Sequence, residues 1–141
     1  MTDLAKRPFT PLRKTMLAAG FALAAGGLVF AAPASAADAA KSAETAAQHA
    51  GFAAGSSGIK GVHMHLHHAL NCLVGEKGDG FDADELNPCK ATGGAIPNTA
   101  DDARKAELEK AAEAARAGIA ETDLAKAQAD ANEVQTILTG E

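Results

Sequence analysis

The chain has 141 residues, 18 acidic against 13 basic side chains and a formal charge of −5, with no Tyr or Trp. Beyond the first turns of sequence no basic patch exists, which argues against a nucleic acid or an anionic membrane surface as partner. The length suits one domain with a modest core.

Residues 1–36 have the three parts of a secretory leader: a basic stretch with Lys6, Arg7, Arg13 and Lys14, an apolar run from Met16 to Ala32, and Ala34-Ser35-Ala36 as a small-residue cleavage site. The alternative is an uncleaved membrane anchor, but the apolar run is short for a span and ends in small residues and a proline. No cysteine lies near the cleavage site and no Arg-Arg pair precedes it, so export by the general unfolded route to the periplasm or medium is expected. The remaining 105 residues, 37–141, carry 9 basic and 17 acidic side chains, a formal charge of −8, so the mature form is not expected to be membrane-embedded. Their apolar content is mostly alanine, and so thin a core calls for a staple.

Residues 38–54 are alanine-rich and free of proline, which predicts a helix with Asp38 or Ser42 as cap. Gly55-Ser56-Ser57-Gly58 reads as a turn. Ser57 can cap a second helix over 58–74, stopped by Gly75. Alternation at His63, His65 and His67 also permits a strand, but Leu66, Leu70, Leu73 and Val74 follow helical spacing. On that helix His63, His67, Leu70 and Val74 form one stripe, expected to face the core, and His65, His68 and Cys72 lie opposite.

Residues 75–98 read as a loop tied back by a disulfide between Cys72 and Cys89, the pairing expected in an oxidising compartment. For a loop of that size the cross-link contributes about 3 kcal/mol. The competing arrangement leaves two thiolates to join the histidines around a metal. Asp79, Asp82, Asp84 and Glu85 raise calcium as a ligand, but not in the order of an EF-hand; Asp82 to Glu85 reads instead as a capping box opening one helical turn before Pro88. Residues 99–139 form an alanine-rich helical segment capped by Thr99, with a break expected near 118–122, either a hairpin or one helix running through.

All five histidines, His49, His63, His65, His67 and His68, lie within twenty residues of one another. If the first two helices turn near Ser57, His49 falls opposite position 65, within reach of His63 and His67, whose i, i+4 spacing suits a helix-borne metal site. The predicted ligands are therefore His63 and His67 joined by His49, with His65 and His68 auxiliary, for a transition metal ion such as copper, zinc or nickel. Non-covalent haem held by His49 with His63 or His67 is an alternative. Another is a non-enzymatic structural or interaction protein whose histidines are surface or pH-responsive groups. Met64 is expected to pack, and no residue set suggests a catalytic nucleophile. The expectation is an all-α chain, a small three- or four-helix bundle with a disulfide-pinned loop after the second helix. In general type it resembles small histidine-bearing helical metal-binding proteins of the bacterial periplasm.

Overall fold

A computed structural model describes residues 34–140, so the expected leader lies outside the described residues except for Ala34–Ala36, which open the first helix. The fold is all-α: α1 (Ala34–Ala54), α2 (Ile59–Val74), α3 (Ala95–Asn98), α4 (Asp102–Ala120) and α5 (Leu124–Thr139). The four long helices form a ring in which α1 packs on α2 and α5, and α4 packs on α5 and α2. Cross-links at the helix ends show the antiparallel sense. Gln128 Nε2 donates to Ser56 O at 2.9 Å, and Arg104 Nη2 donates to Leu138 O at 3.3 Å.

The core has two kinds of side chain. Ala46, Ala50 and Ala53 of α1, Ala111, Ala112 and Ala115 of α4, and Ala127 and Ala131 of α5 are fully buried. Most of the bulk comes from α2, through Val62, Leu66, Leu70 and Leu73, with Leu108 and Val134 opposite. A fully buried leucine contributes about 1.5–3 kcal/mol and an alanine much less, so stability leans on α2 while the alanine helices close tightly round it. Val62, Leu66, Ala69 and Leu73 are the wholly buried line of that helix. The expected stripe through His63 and His67 is therefore one residue, or about 100°, out of phase.

Several helix ends differ from expectation. Asp38 and Ser42 lie inside α1, which begins at Ala34; Ser42 is buried, its Oγ 2.7 Å from Thr92 Oγ1. Gly58, not Ser57, holds the N-cap of α2, without a side-chain bond. Gly75 ends it with φ at 69°. Asp101 rather than Thr99 caps α4, accepting from Arg104 N at 2.6 Å, and Asp123 caps α5. The segment 99–139 is a hairpin turned at residues 121–123. Gly118 is not part of that turn: a Cβ there would lie 2.6 Å from Leu66 Cδ1, so glycine lets α4 close on α2.

The loop after α2 is tied back twice. The Cys72–Cys89 disulfide joins it to the helix with Cα atoms 4.9 Å apart. Asn71, fully buried, accepts from Asp82 N and donates to Asp82 O and Leu86 O at 2.9–3.2 Å. The expected helical turn at Asp82–Glu85 does not form. Asp82 Oδ1 instead accepts from Asp84 N in an Asx turn, and the one helical turn of the loop is α3. Among the described residues no helix is long and apolar enough to cross a membrane.

Candidate metal centre

The short α1–α2 turn brings the last turns of α1 against the middle of α2. His49 of α1 meets His65 and His68 of α2 there, and one ring nitrogen from each lies within 4.8 Å of the others. His49 Nδ1 and His65 Nδ1 are 3.4 Å apart. Two nitrogens bound at 2.0–2.1 Å to a tetrahedral ion lie about 3.4 Å apart, so this pair already stands at chelating distance. In the metal-free protein the same pair can share a proton. The remaining gap to His68 is of the order that side-chain rotation closes.

His68 is 7% exposed, and its two ring nitrogens have unlike surroundings. Nε2 faces Glu85 Oε2 at 3.5 Å, whereas Nδ1 is buried without a hydrogen-bond partner. A carboxylate on one imidazole nitrogen with the other left free is the arrangement that orients a metal-ligating histidine. Phe52 packs beside the group, its ring centroid 5.7 Å from that of His49 and 5.5 Å from that of His65, and is itself 57% exposed.

Burial disfavours the charged forms of His49 and His68. Burial, then the fields of His68 and His65, push His49 down to about 4, so at neutral pH it is an uncharged imidazole ready to donate a lone pair. Burial also pushes His68 down; Glu85 opposes that shift, while His65 and His67 add to it.

The other two histidines are employed elsewhere. His63 Nε2 donates to Glu121 O at 2.8 Å and ties α2 to the end of α4. His67 Nδ1 faces Asp82 Oδ2 at 3.4 Å on the tied loop. His49 is thus assembled with the pair expected to be auxiliary, and His63 and His67 stand apart from it. Met64 is 40% exposed rather than packed. Both cysteines are in the disulfide, so the thiolate arrangement is excluded and the site offers imidazole nitrogens.

The acidic side chains of the loop do not converge on a common point. Glu85 turns to His68, Asp82 to His67, and Asp79 to Arg116 at 3.7 Å. Among the described residues the three-histidine group is the one cluster of three or more such ligands. Glu85 was not marked out by the sequence as part of this region; only the fold of the loop brings it to α2. Compared with protein-family models, with curated proteins and with solved structures, the chain matches none of them.

Proposed function

We propose that the protein is exported and reversibly binds a transition metal ion through His49, His65 and His68, for storage, delivery or detoxification. The observation that carries this reading is the meeting of three imidazoles from two helices with His68 Nδ1 left without a partner. Three nitrogen donors with room for an exogenous fourth ligand suit zinc, copper(II) or nickel, and the absence of a free thiolate disfavours a site dedicated to soft metals. Glu85 would hold His68 in the tautomer that presents Nδ1. His49 and His65 are half-buried rather than enclosed, which leaves the cluster reachable for the ligand exchange that reversible cargo binding requires.

The test is native mass spectrometry of the protein purified without a histidine-affinity step, before and after addition of Zn(II), Cu(II) or Ni(II). One bound ion per chain, lost in the His49→Ala and His68→Ala variants, is the expected result. A mass unchanged by all three metals would overturn the reading.

A further inference from the structure

Away from the histidines, at the opposite end of α2, the turn after the helix and the segment before α3 enclose a cavity of about 480 Å³. That is within the size range of small-molecule sites. Its walls are fixed by backbone. Gly75, at φ 69°, and Gly94, at φ 96°, stand back to back, so that a Cβ on Gly75 would lie 2.4 Å from Gly93 O and one on Gly94 2.7 Å from Gly75 N. Asn98 Nδ2 donates to Thr92 O at 2.9 Å and to Gly94 O at 2.8 Å, and the disulfide anchors the same segment at Cys89. The cavity is therefore a built concavity and not a gap between loose loops.

Its chemistry is amphiphilic. Val74, Ile96 and Pro97 supply apolar surface, while Lys77, Lys90 and Lys105 line it from three separate parts of the chain. These are three of the seven lysines between residues 34 and 140 of an acidic protein. None of the three forms an ion pair among the described residues, where the ion pairs involve His67, His68, Arg104 and Arg116. Three cations lining one cavity without ion-pair partners favour an anion. Glu76 also lines the cavity, but three lysines against one carboxylate leave positive charge in excess, so an anion is still attracted. Apolar walls likewise favour a ligand with a hydrocarbon body over inorganic phosphate.

We propose that this cavity binds a small organic monocarboxylate, its carboxylate among Lys77, Lys90 and Lys105 and its apolar body against Val74, Ile96 and Pro97. The site is independent of the metal centre and needs no ion there.

The test is a ¹⁵N-NMR titration of the metal-free full chain with hexanoate, with hexanol and inorganic phosphate as separate probes. The expected result is saturable perturbation by hexanoate at Lys77, Lys90, Ile96 and Lys105. In the Lys77→Gln/Lys90→Gln/Lys105→Gln variant, whose exposed positions leave the fold intact, affinity should fall by about tenfold or more. Absence of saturable shifts would overturn the proposal. Hexanol binding as tightly as hexanoate would reduce the feature to an apolar cleft, and phosphate binding more tightly would make it a simple anion site. Hexanoate affinity unchanged in the lysine variant would equally refute the role of the three ammonium groups.

Discussion

His68 and His67 each face a carboxylate of the loop, so what separates the five histidines into two kinds is convergence: His49, His65 and His68 bring ring nitrogens within 4.8 Å of one another, and His63 and His67 do not join them. Alanine at His49, His65 or His68 is expected to weaken metal binding by about 100-fold or more, and Glu85→Gln by about 10–100-fold, as read by competition titration. Alanine at His63 and His67 together should leave affinity nearly unchanged, because those rings serve Glu121 O and Asp82. Acid has a definite sign at His49. Its pKa is about 4 in the folded chain and 6.5 as the reference value, so below pH 6.5 the unfolded chain takes up the proton first. Its contribution to stability is complete above pH 6.5 and is lost as the pH falls toward 4. Urea midpoints of the metal-free protein should therefore drop across that window, and drop less in a His49→Gln variant.

At the scale of the element, α2 decides what was legible in the sequence. Its limits, its glycine stop and its cysteine partner could be read directly, and turning the chain near Ser57 correctly set position 65 opposite His49. Its rotation could not be read. The helix touches α1, α3, α4 and α5, and Asn71 and the disulfide add the loop, so apolar or tied residues occur nearly all round it and no single dry face fixes the phase. Glu85 was illegible for a related reason: its place depends on a loop ordered by one buried asparagine and one cross-link. Reducing the disulfide should lower stability by about 3 kcal/mol in chemical denaturation. It should also weaken metal binding, because the loop that carries Glu85 then loses its covalent tie to α2 and keeps only non-covalent ones such as those from Asn71 and Arg116. Gly118→Ala tests the α2–α4 contact. Its methyl would meet Leu66 Cδ1 at 2.6 Å and Asp130 Cβ at 3.0 Å, and a loss of about 1–3 kcal/mol is expected in the urea midpoint.

For the whole molecule, the alanine content has a thermodynamic meaning. The fully buried alanines of α1, α4 and α5 allow close helices but bring little apolar area, so the bundle depends on its cross-links more than a leucine-filled one would. The disulfide fastens α2 to the loop, and a metal would fasten α2 to α1, so the two act on different pairs of elements. At a free metal concentration 100 times Kd the expected stabilisation is about 2.7 kcal/mol, visible as a rise in melting temperature that His49→Ala abolishes.

The paired glycines at 75 and 94 bear on descent. Neither position accepts a side chain without driving it into the backbone opposite. The alanines can be exchanged for other small residues and the surface charges can drift. Gly78 is confined in the same way by the backbone of Val74, so a distant relative should be recognised first by these three glycines and the two cysteines, with the three histidines of the cluster telling whether the metal site descended with them.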